Sequence, residues 1–88
     1  MWYEFFIPPP LNPNPADASL KVYYETHAQA TVKLIIVNQF GSTMMEENGI
    51  AGQADVSFNT SGLTNGNYGV LLLCNGVIMD YEVLIIQH

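Results

Sequence analysis

The sequence predicts an all-β fold, and three observations carry the prediction. Short apolar runs rich in Val, Ile, Tyr, Phe and Thr recur at intervals of about 8–12 residues. Turn chemistry separates them, most visibly at Pro13-Asn14-Pro15, at Asn38-Gln39-Phe40-Gly41 and across Gly62–Tyr68. No segment sustains the i, i+3, i+4 stripe of an amphipathic helix. About seven strands in this rhythm specify an immunoglobulin-like antiparallel β-sandwich; a small barrel is the alternative.

The elements follow in order. Trp2 to Ile7 reads as a short aromatic strand stopped by Pro8-Pro9-Pro10, because proline has no donor for a central ladder. A polyproline-like connector then runs to Pro15. Leu20, Val22 and Tyr24 alternate with Lys21, Tyr23 and Glu25, the period of a half-buried strand. From Ala30 to Val37, Val32, Leu34 and Ile36 share one face, and Lys33, Ile35 and Val37 the other. Gly41 closes the following turn, where a positive φ is needed. Ser42 to Glu47 and Gln53 to Phe58 are the fourth and fifth strands, with Val56 and Phe58 directed inward. Asn75-Gly76 is the signal for a two-residue type I′ hairpin. Strict alternation from that turn places Tyr68, Val70, Leu72, Cys74, Val77, Met79, Tyr81 and Val83 on the core face. It places Leu71, Leu73, Ile78, Asp80 and Glu82 on the outer face.

Composition narrows the function. The chain is 49% hydrophobic and 11% charged, with a net charge of −6. Its cations are Lys21 and Lys33, and it has no arginine. Phosphate-backbone binding needs several cations, so nucleic acid is excluded as a partner. No apolar run approaches the roughly 18 residues that span a bilayer, so no transmembrane segment is expected. No basic region followed by an apolar stretch opens the sequence, so a signal peptide is not expected within it. The chain reads as one domain over residues 1–88, with residues 1–9 either an additional N-terminal strand or the remnant of an upstream linker.

Several segments together resemble a known family. Pro13-Asn14-Pro15-Ala16 followed by Ser19-Leu20-Lys21-Val22 is similar to the opening signature of the C-terminal sorting domains (Por secretion tails) of Bacteroidetes proteins exported by the type IX secretion system. Val32 to Gly41 is similar to that family's central strand and glycine turn. Leu63-Thr64-Asn65-Gly66-Asn67-Tyr68 matches its Leu-x-x-Gly-x-Tyr element, and Tyr81 to Gln87 falls where its last strand lies. Such domains usually carry Lys or Arg near that strand; here Asp80 and Glu82 stand there. The frame also resembles small secreted immunoglobulin-like domains of gut Bacteroides with no assigned activity. The resemblance implies a non-catalytic module of the cell envelope or exterior, acting as a sorting tail or as a small protein-interaction domain. Its partner would be the secretion machinery or an envelope component.

Candidate sites are few. Cys74, the single cysteine, lies on an uncharged face and reads as core packing. A thiolate nucleophile needs a base and an electropositive setting, so the expectation is no enzyme, no cofactor and no metal site. Glu46, Glu47 and Asp55 would bind calcium only if separate strands brought them together. Met44, Met45 and Met79 read as core fillers. Gly41, Leu63, Gly66, Tyr68, Asn75 and Gly76 carry structural roles, with Tyr68 expected to reach back to upstream backbone as a corner tyrosine. Trp2, Tyr3, Leu71, Leu73 and Ile78 are the candidate interaction surface, with Ile86 adding apolar area, and a homodimer through that sheet is one use of it. A carbohydrate-binding or adhesion module built on Trp2, Tyr3, Asn65 and Asn67 is the alternative.

Overall fold

The computed structural model describes residues 5–88 and is all-β. Seven strands run in order: β1 (Phe5–Asn12), β2 (Ser19–Glu25), β3 (Val32–Asn38), β4 (Thr43–Gly49), β5 (Gln53–Asn59), β6 (Gly66–Cys74) and β7 (Val77–Ile86). They form a three-stranded sheet, β1-β2-β5, and a four-stranded sheet, β4-β3-β6-β7. All strand pairs are antiparallel, and the order is that of an immunoglobulin-like sandwich.

The core comes from period-two alternation. Leu20, Val22 and Tyr24 on β2 face Leu34 and Ile36 on β3, Val70 and Leu72 on β6, and Leu84 and Ile86 on β7; all are essentially buried. Fully burying one such aliphatic side chain contributes about 1.5–3 kcal/mol.

The first strand departs from the sequence expectation. The prolines do not end it: β1 runs on to Asn12. Its register jumps between the pairs Phe6–Tyr24 and Leu11–Val22, so Ile7 to Pro10 arch away from β2. Prolines are tolerated there because β1 is an edge strand and the arch needs no ladder donor. The expected strand start at Trp2 lies outside the described residues.

The last hairpin is the second correction. Asn75 (φ 54°) and Gly76 (φ 82°) form the two-residue turn, both in the left-handed region that type I′ geometry requires. Cys74 then pairs with Val77 and Leu73 with Ile78, but Leu72 pairs with Asp80, so Met79 is a bulge. One inserted residue exchanges the two faces of everything beyond it. Leu84 and Ile86 therefore turn into the core, whereas Tyr81 (55% exposed) and Val83 (48% exposed) turn out. Asp80 and Glu82 lie across from Leu72 and Val70, on the inner side at the sheet rim, and Phe6 N–H donates to Asp80 Oδ2 (3.0 Å). Because β7 is apolar on both faces, alternation alone cannot choose between registers. The bulge places the aliphatic Leu84 and Ile86 inside and leaves the carboxylates at the rim, where inward charges on an edge strand also discourage edge-to-edge pairing. A bulge at Met44, between the pairs Ile36–Met45 and Val37–Thr43, leaves that methionine exposed. Met45 and Met79 pack against the core.

The Pro13–Ala16 segment crosses from one sheet to the other and covers the outer edge of β7. The Asn14 carboxamide imitates a peptide unit: its Nδ2 donates to the Val83 carbonyl (3.0 Å) and its Oδ1 accepts from Ile85 N–H (3.0 Å). Ala16 continues the pairing in parallel sense, donating to the Ile85 carbonyl and accepting from Gln87 N–H, both at 2.8 Å.

Candidate functional site

The outer face of the four-stranded sheet holds the candidate surface residues Leu71, Leu73 and Ile78. Register places three rows across β3, β6 and β7: Lys33–Leu73–Ile78, Ile35–Leu71–Tyr81 and Val37–Gly69–Val83. Apart from Lys33, these positions carry no charge. Lys33 is paired with Glu46 on β4 at 3.1 Å, an exposed ion pair of small energetic weight. Ile78 is 58% exposed, and Leu71 and Leu73 are half-buried between their neighbours.

Gly69 shapes one end of this face. A side chain there would meet the Tyr81 ring at 2.8 Å, so the ring rests over bare backbone. An aromatic covering a cross-strand glycine stabilises a weak strand position. Val37, Gly69, Tyr81 and Val83 line an open groove of about 470 Å³ together with Asn38, Gln39 and Asn67. Apolar walls with a few polar groups at one end suit an extended segment or a large side chain better than a charged ligand.

The sequence-derived residues distribute unevenly over this geometry. Leu71, Leu73 and Ile78 lie together on the face. Ile86 does not: it is 1% exposed, turned inward by the bulge. Trp2 and Tyr3 lie outside the described residues. Tyr81 and Val83, read as core from strict alternation, belong to the face instead; the mid-strand Gly69, bare backbone that a cross-strand ring can cover, was the signal for Tyr81. Gly41 takes φ 84° in the β3–β4 turn and Gly66 takes φ 152° at the start of β6. Leu63 is buried. Tyr68 Oη donates to the Thr64 carbonyl at 2.7 Å and stands 3.2 Å from Thr64 Oγ1. Asn75 joins the hairpin to the β2–β3 connection, since Thr31 N–H donates to its Oδ1 (2.9 Å).

Other candidates are not assembled into sites. Glu46 lies with Lys33 on the four-stranded sheet, whereas Asp55 lies opposite Tyr23 on the three-stranded one. Among the described residues no group of three or more His, Cys, Asp or Glu side chains could hold a metal ion. Cys74 is buried on the inner face between the positions of Val32 and Val77. Asn65 is engaged by backbone, accepting from His88 N–H (2.8 Å).

A sandwich whose proline-rich opening segment is built into the edge of its last strand, with one sheet face apolar and open, is an immunoglobulin-like module. Within that class the chain belongs to the secretion system C-terminal sorting domain family, whose family model matches residues 11–85. No curated protein and no solved structure matches the chain. The matched span holds the Asn14 clip, the β3–β4 turn and the Tyr68 corner. No helix among the described residues is long and apolar enough to cross a membrane.

Proposed function

We propose that this chain is the tail by which a type IX secretion substrate is recognised and exported to the cell surface or beyond, and that the export machinery docks on the outer face of the four-stranded sheet. The role is recognition, not catalysis. The observation that carries the docking reading is the three-row apolar face. Ile78, Tyr81 and Val83 remain about half exposed there, while a well-filled core closes the opposite side of the same sheet. Contiguous exposed apolar area of this kind marks interaction surfaces. The family match supports the export role.

A reporter fused ahead of residues 1–88, in a host that has the secretion system, tests both statements. The fusion is expected to reach the surface or the medium, and the reporter alone to stay inside. Retention of the fusion removes the sorting role and leaves a free-standing protein-interaction module. The double variant Ile78→Thr/Val83→Thr is expected to keep its circular dichroism spectrum and to lose export; unaltered export would remove the docking face while leaving the tail reading intact. Sedimentation of the isolated chain separates a second copy from a foreign partner, because a concentration-dependent dimer abolished by the same double variant would assign the face to self-association.

A further inference from the structure

The Asn14 and Ala16 pairing along β7 ends at one side chain whose two ring contacts make different demands on its protonation. His88 follows β7 directly. Its Nδ1 lies 2.6 Å from Asp17 Oδ1, and its Nε2 lies 2.6 Å from the Leu63 carbonyl oxygen. A carbonyl and a carboxylate are acceptors only, so each contact needs an N–H from the ring. A neutral imidazole has one N–H, and the imidazolium has two. Both contacts therefore exist together only in the charged ring; in the neutral ring one lone pair would face an oxygen at 2.6 Å, and that contact opens.

We propose that His88 is a pH-operated latch: while its ring carries both protons it fastens the end of β7 to the segment that covers that strand's edge. The latch sits where three pieces meet. Asp17 follows Ala16 directly, whose backbone pairs with Ile85 and Gln87. Leu63 and Asn65 belong to the β5–β6 connection and hold the His88 ring and its N–H. Thr60 ties the same region together, its Oγ1 donating to the Asp17 carbonyl at 2.7 Å. Among the described residues the charged group facing the ring is Asp17; the β5–β6 connection offers only the neutral Leu63 carbonyl and Asn65 amide. The Asp17 hydrogen bond and then the Leu63 carbonyl hold the imidazole above the ordinary histidine range, in the direction the geometry demands. The sign follows. A group whose value is raised in the folded state contributes stability that is fully present below about pH 6.5, the unfolded value, and is lost as pH rises through the folded value. The latch is thus closed below the ring's folded value as long as Asp17 is a carboxylate, and it opens as pH rises through that value.

The test is an NMR titration of residues 1–88 with amide exchange followed in parallel. Below its own midpoint the His88 ring is expected to carry protons on both nitrogens, and that midpoint to lie above the ordinary value of about 6.5. Asp17→Asn is expected to lower that midpoint. Across it, the Ala16 and Gln87 amides should exchange severalfold faster than the chemical pH dependence of exchange explains. In His88→Gln they should exchange fast at every pH, with the core amides of Leu34 and Leu72 unchanged. A midpoint at or below the ordinary value, a ring with one proton below that midpoint, or Ala16 and Gln87 exchange indifferent to His88 would each overturn the latch.

Discussion

Two buried tyrosines close the opposite ends of this sandwich, and they do so differently. Tyr24, on β2, sends its hydroxyl across to the four-stranded sheet and donates to the Ile50 carbonyl at 2.8 Å, a contact between residues 26 apart in sequence. To get there it passes over Gly49, where a Cβ would run into the hydroxyl and lie 3.1 Å from both Tyr24 Cζ and Val32 Cγ1. Tyr68, on β6, reaches only four residues back, to the Thr64 carbonyl. One end is closed by a long-range cross-sheet contact with a glycine shaped to admit it; the other is closed by a local loop that one short motif specifies. The non-local closure therefore has more partners to fail, and the local one can be removed with less loss.

The largest effect is expected from breaking the non-local end at its glycine. Gly49→Ala puts a methyl group where the Tyr24 hydroxyl passes, so the ring must shift and its bond to Ile50 is lost. Overpacking and the missing hydrogen bond together predict a loss of about 2–3 kcal/mol. In a domain of this size that corresponds to a fall in Tm of roughly 10–20 °C. Thermal unfolding followed by circular dichroism measures it, and a variant within 2–3 °C of the parent, roughly half a kcal/mol on the same scale, would show that the passage over Gly49 is not tight.

Next comes Tyr24→Phe, expected to cost about 1.5 kcal/mol. It deletes the cross-sheet bond and leaves a void over the bare glycine. The double variant Gly49→Ala/Tyr24→Phe sharpens the comparison. With the hydroxyl gone the methyl fills the void, so the pair should be more stable than Gly49→Ala alone. Simple additivity of the two losses would mean that the residues do not share the space. The same side chain gives the alkaline signature. Burial holds the Tyr24 phenol above the ordinary tyrosine value of 10.0, with the Asp55 charge acting in the same direction. Its contribution is therefore fully present below about pH 10 and is lost as pH rises through the folded value. Part of the parent's alkaline destabilisation should be missing in Tyr24→Phe.

The contrast also marks what the sequence could reveal. Contacts local in the chain were legible: the Asn75-Gly76 turn with both residues at positive φ, the Gly41 turn, and the Leu63–Tyr68 element whose hydroxyl turns back to Thr64. The core of β2 and β3 was legible because Leu20, Val22, Tyr24, Val32, Leu34 and Ile36 alternate with more polar neighbours. Features decided by packing between distant segments were not. The Met79 bulge reverses β7, a strand with apolar residues on both faces, so period-two reading assigned Tyr81 and Val83 to the core and Asp80 and Glu82 to the outside. The outer apolar face was half visible for the same reason: Leu71, Leu73 and Ile78 lie before the bulge or on β6, and the residues beyond it were inverted. The proline run in β1 looked like a stop because an edge strand that arches and resumes has no sequence signature apart from its pairing with β2. The Asn14 clip and the His88 ring bind residues about 70 positions away, beyond any local pattern.

The smallest effect belongs to the local corner, and it tests the comparison from the other side. Tyr68→Phe removes the bond to Thr64 but no long-range link, and Gly66 and Leu63 still define the loop. The aromatic ring keeps its place in the core, where Tyr68 is 7% exposed. Water can reach the released Thr64 carbonyl, because Thr64 itself is on the surface. The expected loss is about 0.5–1 kcal/mol, the net value of one such hydrogen bond. It should appear as faster exchange confined to amides of the β5–β6 connection, with those of the Ile50–Gly52 turn unaffected. A loss equal to or larger than that of Tyr24→Phe, or exchange spreading to the Gly49 end, would show that the two closures are coupled through the core and that sequence distance does not rank them.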